Sequence, residues 1–151
     1  LRCAVGLAHV AASRGTFTEA ANQAAEAYDL AVERGEPVME AWALSSIAWI
    51  FGEVRRGKHK LKAKALSEAA LRVAKIDLGE QLTHAMSTLN AIGGGPGLYR
   101  GHATLALAEH LADQHSADIE AALEDAKQAV RGFETGRLRI RFDALVERCN
   151  G

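Results

Sequence analysis

Glycine cuts this chain into pieces of helical length, and that punctuation constrains the fold more than any other feature. Breaks fall at Gly15, Gly35-Glu36-Pro37, Gly57, Gly79, the GGGPG run at 93–97, Gly101 and Gly136. Between them apolar residues return every three to four positions, the period of a helix packed on one face. The pattern predicts eight helices, at 2–13, 17–34, 38–55, 60–77, 80–92, 101–114, 117–134 and 137–149. Gly15 is placed as a helix C-cap, Thr16 or Thr18 as an N-cap with Glu19 in the first turn, and Pro37 where a missing N–H costs nothing. Ser116 is a candidate N-cap further on. Composition agrees: 30 alanines stand against 2 prolines, 8 valines, 6 isoleucines and 6 threonines. Alanine is the best helix former and β-branched residues favour strands. The expected class is all-α, which excludes a sandwich, a barrel or a doubly wound sheet.

The 151 residues suit one domain, 1–151. Lys and Arg number 18 against 19 Asp and Glu, so the chain lacks the basic excess of a nucleic-acid-binding domain. Two cysteines, Cys3 and Cys149, make no disulfide scaffold and fit a reducing compartment. No apolar run nears the ~18 residues of a membrane span. The expected location is cytoplasmic. The chain opens at Leu1-Arg2-Cys3-Ala4, already inside a helical pattern and without an initiator Met, which reads as a fragment of a longer protein.

Short connections between helices favour antiparallel neighbours, and three turn-plus-helix segments align with one another. They are GTFTEAANQAAEAYDLA (15–31), GKHKLKAKALSEAALRVA (57–74) and ADIEAALEDAKQAVRGF (117–133). Each carries two small residues seven apart, Ala20/Ala27, Ala63/Ala70 and Ala122/Ala129, then a larger apolar residue, Leu30, Val73 or Phe133. Seven residues are two helical turns, so each small pair shares a stripe that a partner helix can approach closely. The segment 7–30, with Leu7-Ala8, the GTF turn, Ala20 and Ala27, resembles a tetratricopeptide repeat. Segments 41–74 and 101–133 resemble further repeats; 80–100 does not match. The strings ALSEAALRVA and LALAEHLADQHSADIEAALEDAKQAV are similar to the C-terminal helical-repeat regions of large bacterial helix-turn-helix regulators. The resemblance implies an irregular tetratricopeptide-like (TPR-like) α-solenoid of about eight antiparallel helices, in which the first helix of each pair lines a concave groove.

Phasing the helices on that scheme gives a candidate binding face. Trp42, Ser45, Trp49 and Glu53 fall beside the core stripe of Leu44, Ile47, Ala48 and Phe51. The two tryptophans are the only ones in the chain, seven apart and nearly eclipsed. A tryptophan there either packs into a neighbouring helix or anchors a ligand, and the residue type serves both uses. The corresponding faces present Arg2 and His9 on the first helix, His84 and Thr88 on the fifth, and His102 and Glu109 on the sixth. Such a groove suits a peptide or a planar metabolite.

Other features carry less. His102, His110 and His115 are spaced eight and then five apart, whereas a helical metal pair needs three or four; no metal or cofactor is expected. The GGGPG run lacks the Lys-Ser/Thr of a phosphate loop and reads as a connection between helical units. RRGKHKLKAK (55–64) concentrates six positive charges in ten residues, either a solvated turn or a contact for phosphates or an acidic partner. The last helix, with Arg137 and Arg141 on one side and Leu138, Phe142, Leu145 and Cys149 on the other, reads as a cap with a solvated arginine face. No catalytic constellation is present. The expectation is a non-catalytic module in a bacterial transcriptional regulator, sensing a peptide, small-molecule effector or partner protein. The alternative is a constitutive protein scaffold or self-association module, with a homodimer as one form.

Overall fold

A turn glycine in the left-handed region ends a helix only if the freed carbonyls find new donors. At Gly15 (φ +80°) they do: the Thr16 N–H donates to the Ala11 carbonyl at 2.9 Å and the Thr16 hydroxyl to the same oxygen at 2.7 Å. That hydroxyl therefore closes the helical residues before Gly15 and caps nothing after it. The computed structural model describes residues 7–8, 10–12, 14–57, 59–91, 97–131 and 136–150. Among them the structure is helical, with no strand. Arg2, Cys3, His9, Lys58, residues 93–96 of the glycine run and Phe133 lie outside the described residues.

Helix α1 (Phe17–Arg34) ends at Gly35 (φ +64°), and α2 (Pro37–Arg55) starts on its proline. A single helix over 60–77 does not form. Residues 59–62 are irregular, 63–65 make one 3-10 turn, and only α3 (Glu68–Val73) is α-helical. The reason lies in α1, whose polar side chains take the backbone groups a helix would need. The Thr18 hydroxyl accepts from the Lys62 N–H at 2.8 Å. The Asn22 amide accepts from the Ser67 N–H at 2.7 Å and donates to the Ala65 carbonyl at 2.9 Å. Ser67 then caps α3 by accepting from the Ala70 N–H. Ala63 is consequently exposed, so the Ala63/Ala70 pair makes no helical stripe, unlike Ala20/Ala27.

Helix α4 (Leu78–Ala91) buries Leu78, Leu82, Ala85 and Leu89, a clean one-face pattern. Helix α5 (Gly97–Asp113) begins four residues before the expected 101; Gly101, read as a break, is buried inside it. Helix α6 (Ile119–Val130) begins two residues late, because Ser116 accepts from the Asp118 N–H and holds a separate turn. Helix α7 (Arg137–Asn150) follows.

Helices α2 and α5 are central. Nine residues of α2 are buried, on nearly every side, as expected of a helix with neighbours all round. It packs most extensively on α1 and α5, and also meets α4. Helix α5 packs on α2, α4, α6 and α7. Its Ala103 and Ala106 belong to the main core with Ala20, Ala24, Leu44, Ile47 and Leu82, while Leu105 and Ala108 belong to a second core with Ala126, Val130, Leu138, Phe142 and Leu145. Contacts at successive levels give the direction. Trp42 meets His102 near the start of α2 and α5, and Arg56 meets Asp113 at their ends. Arg141 meets Glu109, and Arg148 meets Asp113. Helices α2, α5 and α7 therefore run side by side in the same direction. Helices α4 and α6 both lean on α5 yet share almost no contact, which leaves a cleft between them.

Asn22→Ala removes both ties to the 62–67 segment. We expect a loss of about 1–3 kcal/mol from two hydrogen bonds, read by urea denaturation. Amide exchange should lose protection at Ser67 while α1 stays protected; unchanged exchange there would contradict the clamp.

Candidate functional site

The layer of α2, α5 and α7 carries two polar assemblies. In the first, Arg141 rises from α7 between α2 and α5. Its guanidinium pairs side-on with the Glu109 carboxylate, Nη2 to Oε1 and Nε to Oε2, the latter at 3.4 Å. Nη1 lies 3.5 Å from Nδ1 of His102, and the group sits 5.7 Å from the Trp49 ring centre. The Trp42 ring is 6.4 Å from the His102 ring. Arg141 and His102 are each 7% exposed and Glu109 is 8%, whereas both tryptophans are half-buried. Trp49 also leans on Phe17 at 5.9 Å, and Phe17 stacks on His59 at 3.8 Å. A burial this deep is tolerable because a two-pronged Arg–carboxylate pair satisfies both charges.

Four of the ten candidate residues thus meet: Trp42, Trp49, His102 and Glu109. The others do not join them. Ser45 is fully buried and its hydroxyl donates to the Trp42 carbonyl at 2.7 Å, so it lines nothing. Glu53 lies further along α2, paired with Arg56 at 2.9 Å. His84 is exposed on α4 and lines a different cleft with Glu80, Thr83 and Ser87, over Leu107 and Leu111. Thr88 is half-buried on α4. Arg2 and His9 lie outside the described residues. A groove shared by three histidines does not assemble, since His84 belongs to that other cleft.

Arg141 is the residue the sequence reading misplaced: it is buried, not a solvated face. A signal was available. Position 141 falls three after Leu138 and four before Leu145, on the stripe that α7 turns inward. Cys149, assigned to that stripe, is exposed instead.

The second assembly lies where α2, α5 and α7 end. Asp113 accepts from Arg56 at 2.8 Å, Arg148 at 3.2 Å and Arg55 at 3.4 Å. Burial works against the charge of Arg56, yet its pKa is raised because Glu53 and Asp113 bond to it and attract it. Arg55, Arg56, Arg148, His115, Ser116 and Cys149 line an open cleft of about 600 Å³ here. Of the basic run at 55–64, Arg56 is therefore tied down, Arg55 is exposed with one long contact to Asp113, and Lys60, Lys62 and Lys64 are exposed. Beside this cleft His110 packs against Gly79, where an added Cβ would come within 3.0 Å of the ring. Its Nδ1 is buried with no hydrogen-bond partner among the described residues. Among the described residues no group of three or more His, Cys, Asp or Glu is placed to hold a metal, and no helix is long and apolar enough to cross a membrane.

Arg141→Met leaves Glu109 buried and unpaired, with an expected cost of about 3–5 kcal/mol in urea unfolding. Arg141→Met with Glu109→Met should recover most of it; an additive double mutant would show that the two do not act as a pair. His110 supplies a pH test. Burial and then the Arg55 charge lower its pKa below the ordinary 6.5, against the pull of Asp77 and Asp113. The unfolded chain takes up this proton first, so the contribution to stability is complete above 6.5 and is lost as pH falls below it. The thermal midpoint of His110→Asn should drop less than that of wild type between about pH 7 and about pH 5.5. Equal drops would mean His110 carries none of the loss.

Comparison with protein-family models, with curated proteins and with solved structures finds no match to this chain.

Proposed function

We propose that this chain is a non-catalytic helical-repeat binding module of irregular TPR-like solenoid form. The parallel layer of α2, α5 and α7, backed by α1, α4 and α6, supports that arrangement. In the family the sequence resembles, α2 and α5 would be first helices of their pairs, the groove-lining set, and α7 extends that layer as the terminal cap. One observation carries the binding reading. The chain's only two tryptophans are half-buried on this layer, Trp42 beside His102 and Trp49 beside Arg141 of the His102–Arg141–Glu109 set drawn from two further helices. Large aromatic rings held by a rigid polar support, with part of their surface left in water, are the usual anchors of a binding surface.

The ligand class is a peptide or a small planar effector. Binding shifts the relation between helices when one arrangement binds better than another. Arg141 is the natural lever, since it links α7 to both central helices. The similarity to the repeat regions of bacterial helix-turn-helix regulators supports placing the module in a cytoplasmic regulator, where an output domain reads that shift.

A second reading is a constitutive scaffold that docks a partner protein, with no signal. It is favoured by the cleft of about 810 Å³ between α4 and α6, whose floor includes Met86, Leu107, Leu111 and Ala122.

Native mass spectrometry after exposure to host lysate separates these, with wild type beside Trp42→Ala/Trp49→Ala. We expect a retained mass of a few hundred daltons (small effector) or of a short peptide, lost in the double mutant while helical circular dichroism persists. Retention unchanged by the mutations overturns the tryptophan surface. A retained protein lost in Leu111→Glu supports the scaffold reading.

A further inference from the structure

We propose that the cleft where α2, α5 and α7 end binds a small phosphorylated ligand, held by Arg55 and Arg148. The charges do not balance internally. Arg55, Arg56 and Arg148 converge on Asp113, and Glu53 pairs with Arg56. Among the described residues, three guanidiniums against two carboxylates leave one positive charge in excess.

The donors do not balance either. A guanidinium has five N–H groups in a fixed fork. Among the described residues Arg55 makes a single polar contact, long at 3.4 Å, and Arg148 a single one at 3.2 Å; their side chains are 45% and 34% exposed. Arg56 differs, because its fork is divided between Asp113 and Glu53. Two under-used forks therefore reach the cleft from two helices, which suits a group with several terminal oxygens. A planar carboxylate fills one fork, whereas a phosphate fills two. Ser116 adds a hydroxyl on the same wall whose oxygen already accepts from the Asp118 N–H, which leaves its proton to donate.

Two features oppose the anion. The carbonyl ends of α2 and α5 carry partial negative charge, and Asp113 competes for the same donors. Asp113 is thus the resident occupant of an oxyanion site, and removing its charge should strengthen anion binding. A merely structural hub predicts the opposite sign.

The volume of about 600 Å³ takes a ligand of metabolite size. The Trp surface is not required for it.

The test is isothermal titration of the full chain with inorganic phosphate, pyrophosphate and AMP at constant ionic strength. We expect saturable binding, with AMP tighter than phosphate when the ligand is a phosphate ester and pyrophosphate tighter than AMP when it is a diphosphate. Arg55→Gln/Arg148→Gln should weaken it about tenfold or more, and Asp113→Asn should tighten it about fivefold or more. Each variant is first checked for native circular dichroism and melting. Should Asp113→Asn melt early, Asp113→Ser with Arg56→Met, which removes both members of the tightest pair, takes its place. Absence of saturation at about 10 mM, or equal or weaker binding once the Asp113 charge is gone, overturns the proposal. Trp42→Ala/Trp49→Ala should leave these titrations unchanged, so failure here is distinct from failure of the tryptophan surface.

Discussion

Helix α5 has to satisfy four neighbouring helices, and the rest of the structure follows from how it does so. Small residues at Ala103, Ala106 and Ala108 allow close approach on its core faces. Leu105 reaches into the second core, and Leu107 and Leu111 floor the clefts on the side where α4 and α6 stay apart. Three of its polar residues serve the layer it shares with α2 and α7: His102, Glu109 and Asp113 occur about two turns and then one turn apart, and each takes a contact from another helix. One helix thereby joins two apolar cores and two charged assemblies.

The two assemblies use arginine in opposite ways. Arg141 and Glu109 are buried, matched one to one and two-pronged, so their charges cancel locally. Such a pair fixes the position of α7 rather than adding much net stability. At the helix ends three arginines share Asp113 and remain partly in water. Water screens those pairs and each is worth little alone. Their position beside the carbonyl ends of helices explains why arginines are tolerated there; it does not explain why so many donors stay under-used.

The sequence was legible where one local rule acted without competition. Helix α1 was readable to its last residue, because Gly35 and Pro37 punctuate it and its alanines need only to be small. The pairing of Trp42, Trp49, His102 and Glu109 followed from placing two helices in the same phase. Reading failed where a distant side chain competed. Asn22 and Thr18 unwound the start of the segment expected as helix 60–77, although alanine and lysine there favour helix. Gly79 and Gly101 looked like breaks and lie inside helices. At Gly79 the cause is visible, since His110 occupies the space a side chain would take.

The sequence by itself determined that this chain is helical, and nearly where most of its helices run. Propensity, glycine punctuation and apolar period are local properties that act within a few residues. Only the tertiary structure decided which polar residues are paired and which face a cleft. Arg141 and Arg148 are seven apart on one helix and of one chemical type. One is sealed against Glu109 and the other remains partly in water at Asp113, because the difference lies in what α5 presents at each level. Charge pairing is set by residues more than thirty positions away, and the local stripe that turns position 141 inward names none of those partners.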